Sequence, residues 1–416
     1  MTTRSIRRFS RWWLVAVAAL GMGAAGTYQF SWSTIRVPLG PRIGAGETAL
    51  GTAFTLFVIF QTTSQFPAGW VRDRYGPRPP LAAGAVLLAA GYAGTAFASG
   101  VPVLYLAYAV GGIGSGSVYT VAINTAVKWF DDRRGLATGI VASSYAGTSF
   151  LFVLALRGRV DADFAGTLLG LAAAVGVLAL VGVPFIRDPR EGEGATNGGT
   201  GDGGPEQSPE GGDAATGYTW RETVRTWQFW LLYAVFVIVN GVGLMIIGKI
   251  VSYAGVMDLP AAAATAAASL VALGDGAGVA VGGTVSDRLG RERTVVLSLL
   301  ACAACLAGAS LVAIEGLGTA FVALIAAAAF LRSPVFSVFP SLVGDYYGTA
   351  HSSANYALLY SAKLWGGVVG GTVTSGLIVS LGWNPTFLLG AGLLGVAGAA
   401  TAFLRPVDRG DSPDPR

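Results

Sequence analysis

Gly69-Trp70-Val71-Arg72-Asp73-Arg74-Tyr75-Gly76-Pro77-Arg78 is a charged turn between two long apolar runs. The pattern returns as Gly283-Thr284-Val285-Ser286-Asp287-Arg288-Leu289-Gly290-Arg291, again between apolar runs. Each copy has a glycine, then Asp-Arg beginning four residues on, then a glycine two residues after the arginine. Such a turn, repeated at matching places in two halves, indicates a duplicated membrane protein.

Composition agrees. The 416 residues are 53% hydrophobic and only 12% charged, against roughly 25% charged residues in soluble domains. The basic residues sit in short loops and form no continuous stripe, which argues against nucleic-acid binding. Cys302 and Cys305 share one apolar run and read as small buried side chains, not as a disulfide or metal site. Arg4, Arg7, Arg8 and Arg11 before an apolar run imitate a signal peptide. The run from Trp12 to Trp32 exceeds a signal core of roughly 7–15 residues, so we read it as an uncleaved first helix.

Spanning helices need about 20 mostly apolar residues. Twelve candidates follow: 12–33, 48–68, 80–99, 102–127, 136–156, 165–186, 228–251, 260–284, 294–314, 317–343, 353–380 and 383–404. The expected fold is an all-α membrane protein with two pseudo-symmetric six-helix bundles, 1–186 and 227–416. Between them, 187–226 is a cytoplasmic linker whose Gly-, Glu- and Asp-rich core, Glu191 to Gly217, reads as disordered. Trp220 to Trp227 reads as a short interfacial helix. With the N-terminus placed in the cytoplasm of a plasma-membrane protein, most Lys and Arg fall inside and only Arg36, Arg42, Arg157 and Arg159 fall outside, as the positive-inside rule requires. Lys249, Arg332, Lys363 and Asp275 fall within spans.

The repeated turn has a physical rationale. Gly69 and Gly283 allow helix ends to approach, and Gly76 and Gly290 permit a left-handed turn. Asp73 and Asp287 can cap a helix or pair with an arginine, while Arg74, Arg78, Arg288 and Arg291 hold the loops in water. These are candidate gate residues, bonded in one state and released in another; the alternative is that the charges only keep a loop wet.

Both turns resemble the signature loop of the major facilitator superfamily, with Pro77 and Glu292 standing where a basic residue is usual. The resemblance implies a central cavity and alternating access. A closer resemblance, to the oxalate/formate antiporters and related monocarboxylate transporters, is carried by Trp129-Phe130, Arg134-Gly135-Leu136-Ala137-Thr138-Gly139, Pro340-Ser341-Leu342 before Asp345-Tyr346-Tyr347-Gly348, and Asn355-Tyr356-Ala357-Leu358-Leu359-Tyr360-Ser361-Ala362-Lys363. It implies a small organic anion as cargo, a mono- or dicarboxylate, moved by antiport or proton symport. Lys363 falls on a substrate-binding cation. The family's eighth span usually carries an arginine four residues after an Asn or Asp; here the acid is Asp275 and the arginine position is Val279. Arg332 in the tenth span is expected to take the second cationic role, which widens the cargo class beyond oxalate.

A charge at mid-bilayer costs roughly 2.5–3.5 kcal/mol on insertion scales. Lys363 lies roughly 15 Å into its span at about 1.5 Å per residue, and Arg332 and Asp275 fall near the midplane too. Lys249 lies near a span end and is expected to snorkel. Asp275 can pair with Arg332 or Lys363, which leaves an excess of positive charge that suits an anion. Asp275 is also the candidate proton-coupling group, because a dry cavity favours a neutral carboxyl and a nearby cation favours the charged one. Tyr28, Gln29, Trp32, Tyr119, Tyr145 and Tyr360 are candidate cavity donors, with plain packing as the alternative.

Gly112-Ile113-Gly114-Ser115-Gly116 lies inside a span and reads as helix packing, not a nucleotide loop; so do Gly366, Gly367, Gly370 and Gly371. His351 reads as solvated. No Walker sequence, cofactor, metal or enzymatic chemistry is expected. The expected partners are the anion, protons and the bilayer, with the chain acting as a monomer. The alternatives are a facilitator of neutral or cationic solutes and a membrane receptor that kept the fold.

Overall fold

The computed structural model describes residues 11–129, 134–156, 158–188, 217–348 and 352–407. The spanning elements are α1 (Arg11–Phe30, continued past Ser31 by Trp32–Ile43), α2 (Glu47–Tyr75), α3 (Arg78–Ala96), α4 (Val101–Trp129), α5 (Arg134–Leu156) and α6 (Phe164–Gly182). The second set is α7 (Trp227–Val256), α8 (Ala261–Leu289), α9 (Arg291–Ile314), α10 (Gly318–Arg332 and Pro334–Tyr347), α11 (Ser352–Tyr360, Ala362–Val368 and Thr374–Leu381) and α12 (Trp383–Thr401). A wide-turn π segment, Val369–Val373, lies within α11.

Among the described residues, ten helices are long and apolar enough to cross a membrane. The two others that complete the twelve are α2 and α12. Thr48, Thr52, Thr55, Gln61, Thr62, Thr63, Ser64 and Gln65 dilute the hydropathy of α2, and α12 opens on Trp383-Asn384-Pro385.

Three helix ends run well past the sequence reading. The first helix runs ten residues beyond the expected 33, to Ile43, because Ser31 N–H bonds to Thr27 O at 2.9 Å and Ile35 N–H to Ser31 O at 3.0 Å, carrying the chain through. Arg36 is therefore buried in a helix and not in an outside loop. Likewise α2 and α8 continue through the repeated motif to Tyr75 and Leu289, so the turn itself is confined to Gly76-Pro77 and to Gly290. Those two glycines take φ of 85° and 88°, a region that side chains with a Cβ avoid. The short helix after the linker is Trp220–Thr223, closed by a Thr219/Glu222 capping box. The body of the linker, and His351, lie outside the described residues.

Helix contacts rest on small residues. A Cβ on Gly112 or Gly116 would strike α2 backbone, at 2.5 Å from Phe57 O and 2.2 Å from Gln61 O, and one on Gly114 would strike α3 at Leu88 N, 2.5 Å away. The glycine run is thus a two-faced packing device. In α11, Gly366 and Gly370 admit α7, while Gly367 and Gly371 admit α2. Cys302 is buried and Cys305 partly so; both are free thiols.

Candidate functional site

The first and second sets of helices meet along α2–α11, α5–α8 and α1–α7. At the end carrying Glu47 the seam is shut. Thr55 Oγ1 donates to Gly367 O at 3.0 Å and accepts from Thr372 N at 3.0 Å. Arg36 pairs with Glu47, Lys249 Nζ reaches Glu47 Oε1 at 2.7 Å, and Lys249 also donates to Ser375 Oγ at 2.6 Å. Lys249 is 2% exposed, so the expected snorkelling is corrected: it is held across the seam by a carboxylate.

Toward the glycine-turn end from this seal lies a cavity of about 160 Å³. Its walls hold Gln29, Tyr119, Tyr145, Asn240, Asp275, Val279, Arg332, Ser333, Phe336, Tyr356, Tyr360 and Lys363. Of the sequence candidates, Lys363, Arg332, Asp275, Gln29, Tyr119, Tyr145 and Tyr360 are brought together. Tyr28 and Trp32 are not, and this is a correction: they face a buried aromatic cluster. Tyr28 stacks on Phe57 at 5.2 Å and donates to Ala107 O at 3.2 Å, while Trp32 packs edge-on against Tyr108 at 4.5 Å.

The cavity's charges are arranged unequally. Arg332 Nη2 donates to Asp275 Oδ1 at 2.6 Å, and Ser333 Oγ donates to the same oxygen at 2.7 Å. The guanidinium also lies over Phe336, 5.3 Å from the ring centre. It fits against α7 because residue 243 is glycine: a Cβ there would lie 2.4 Å from Nη1 and 2.5 Å from Cζ. Arg332 is thus a compensated cation, not a bare one. Lys363 differs. Its Nζ donates to Gln61 Oε1 at 3.0 Å and sits 5.8 Å and 5.9 Å from the rings of Tyr145 and Tyr360. Among the described residues its partners are a neutral amide and two π faces, with no carboxylate. Gln61 is itself held, donating to Ser115 Oγ at 2.9 Å and to Tyr145 Oη, which donates on to Gln29 Oε1 at 3.0 Å. Gln61, Ser333 and Gly243 were not singled out from sequence; an amide or hydroxyl can offset its burial with a local hydrogen bond and stands out far less in a span than a charge does, and a glycine carries no side chain to mark it.

The repeated turns bind locally. Arg72 pairs with Asp188 at 2.8 Å, and Arg78 donates to Pro184 O at 2.9 Å and Ile186 O at 3.2 Å, just beyond α6. Arg291 donates to Ser341 O at 2.6 Å and pairs with Asp345 of α10. Arg74 stacks on Trp70 at 5.6 Å, and Asp287 and Arg288 are exposed. The side chain of Asp73 lies outside the described residues.

A family model described as Major Facilitator Superfamily matches residues 8–313 and 245–416. The chain is 32% identical over 398 residues to the oxalate:formate antiporter of Oxalobacter formigenes, covering 95% of this chain and 92% of that one. It is 36% identical over 108 residues to monocarboxylate transporter 9 of Pongo abelii, covering 26% and 20%. Its backbone matches a structure titled as the inward open conformation of the xylose transporter XylE from E. coli, with TM-score 0.74, 13% identity and coverage of 97% and 98%; at that identity the likeness speaks for the fold alone.

Proposed function

The chain belongs to the major facilitator superfamily of membrane transporters, and on that premise we propose that it moves a small organic anion, a mono- or dicarboxylate, by alternating access. The observation that carries the reading is Lys363: a buried cation in an inter-bundle cavity whose partners are a neutral amide and two aromatic rings. A carboxylate supplies the missing counter-charge, and the phenols and amides around it supply donors. A cavity of about 160 Å³ is small beside the roughly 300–1,000 Å³ of drug-sized pockets, which suits a cargo of few atoms. Arg332 contributes when Asp275 releases it, and protonation of Asp275 is the event that would do so. This couples carboxylate binding to a proton or, in exchange mode, to a second anion. The charge distribution supports a topology with both termini and the glycine turns on the cytoplasmic side.

The test is uptake of labelled oxalate, formate and longer monocarboxylates into proteoliposomes, with and without a pH gradient. Wild type should carry at least one, and Lys363→Gln should lose more than nine-tenths of that activity at normal insertion. Full activity in both Lys363→Gln and Arg332→Gln would refute the anion reading.

A further inference from the structure

Outside the cavity, a second cluster of buried charge lies at the Glu47 end. Arg36 of α1, Glu47 of α2 and Lys249 of α7 meet there, and Arg36 and Lys249 are each 2% exposed. One Glu47 oxygen takes Arg36 Nη2 and the other takes Lys249 Nζ. Two cations share one carboxylate, so the cluster retains a positive charge. On the same helix face, three residues before, Ser33 Oγ is buried and, among the described residues, has no hydrogen-bond partner; nor has Arg36 Nε, although Arg36 Nη1 reaches Gly248 O at 3.5 Å. Buried polar groups are ordinarily satisfied, and buried charges ordinarily balanced. Among the described residues, what this cluster lacks, in charge and in acceptors, is an anion.

The cluster also straddles the seam. Arg36 and Glu47 belong to the first six helices, Lys249 and Ser375 to the second six. Opening this end must part Lys249 from Glu47.

We propose that Arg36 and Lys249 form a second, staging site for the carboxylate of the cargo, and that Glu47 is its built-in occupant: a tethered carboxylate that holds both cations while this end is shut and yields them when it opens. The proposal rests on the carboxylate reading of the central cavity. A free carboxylate presents the same two oxygens as Glu47 and competes for the same two cations. Cargo that takes Lys249 from Glu47 removes a bond between the two halves, so it binds the open state better than the shut one. That differential affinity is what a ligand needs to shift a conformational equilibrium.

The experiment titrates sodium formate, at constant ionic strength, against purified protein and follows thermal unfolding. Lys363→Gln removes the cavity's unpaired cation. In Lys363→Gln/Glu47→Gln the staging cations lose their tethered partner, so formate should stabilise this protein saturably, with an apparent affinity at least tenfold tighter than in Lys363→Gln. Adding Arg36→Gln should abolish the effect. Absence of a formate-dependent shift in Lys363→Gln/Glu47→Gln, or a shift that survives Arg36→Gln, would overturn the proposal. If Glu47→Gln cannot be recovered folded, Glu47→Asp replaces it; its shorter carboxylate competes less well, and a smaller shift with the same dependence on Arg36 is required. Failure of the underlying carboxylate reading shows elsewhere, as a wild-type formate response that Lys363→Gln leaves unchanged.

Discussion

Replacing Asp275 by asparagine should change what the cavity prefers. The wild-type carboxylate takes Arg332 Nη2 at 2.6 Å and Ser333 Oγ at 2.7 Å. Asparagine keeps the shape and can still accept from Ser333, but Arg332 loses its counter-charge. A buried cation left unpaired costs about 3–5 kcal/mol, so the cargo-free variant should unfold at a lower temperature. The second consequence is selectivity. The formal charge of the cavity rises from that of Lys363 alone to that of Lys363 plus Arg332. One extra unit charge roughly 6 Å from a bound anion, at an effective dielectric constant near 20, contributes about 2–3 kcal/mol per negative charge. A dianion gains this increment twice and a monoanion once. The oxalate-to-formate preference should therefore rise on the order of 30- to 150-fold. Competition of unlabelled oxalate and formate against a labelled carboxylate in proteoliposomes measures the ratio. Adding Arg332→Gln should return it toward the wild-type value, since the two residues form one unit. An unchanged ratio in correctly inserted Asp275→Asn would show that Arg332 does not face the cargo, and would refute the reasoning.

Two glycines offer further tests. In Gly243→Ala the new methyl would lie 2.4 Å from Arg332 Nη1, so the guanidinium must leave its seat; carboxylate affinity should fall about tenfold while the protein remains folded, as read by competition binding alongside thermal unfolding. In Gly51→Ala the methyl would lie 2.0 Å from Ser375 Oγ and 2.7 Å from Gly371 O. The Glu47 end should then fail to shut, and a cysteine replacing Thr55 should react with thiol reagents that leave it untouched in the Gly51 background.

Much of this architecture was legible in the sequence because the bilayer makes it so. A span must be long and apolar, and a charge inside it is expensive, so Lys363, Arg332 and Asp275 stood out from their neighbours. Gly76 and Gly290 were readable as left-handed positions from their repeat. The losses came at edges and on faces. Glu47 fell one residue outside the span assigned to α2, and Arg36 three residues past that assigned to α1; both were counted as wet loop, and Lys249 was left without its partner. Tyr28 and Trp32, four residues apart, share a helical face, and Gln29 is turned from it by about 100°. Aromatic content alone does not say which face meets the cavity; the structure turns Gln29 to it and the two aromatics away. Gln61 was silent because a neutral amide in a helix full of threonines costs little and signals little.

The π segment in α11 has a geometric consequence for both charged sites. Lys363, Gly367, Gly371 and Ser375 recur every four residues, and all meet α2, at Gln61, Val58, Thr55 and Glu47 in turn. In an ideal helix a strict four-residue repeat drifts by about 40° per step, so Ser375 would point roughly 120° away from Lys363. A π turn absorbs one residue, which cuts that offset to about 20°. The widened turn at Val369–Val373 is a phase correction: it keeps a single stripe of α11 against α2 over the whole distance from the central lysine to the seal at the Glu47 end, so that a rotation of this one helix about its axis would disengage Lys363 and Ser375 together.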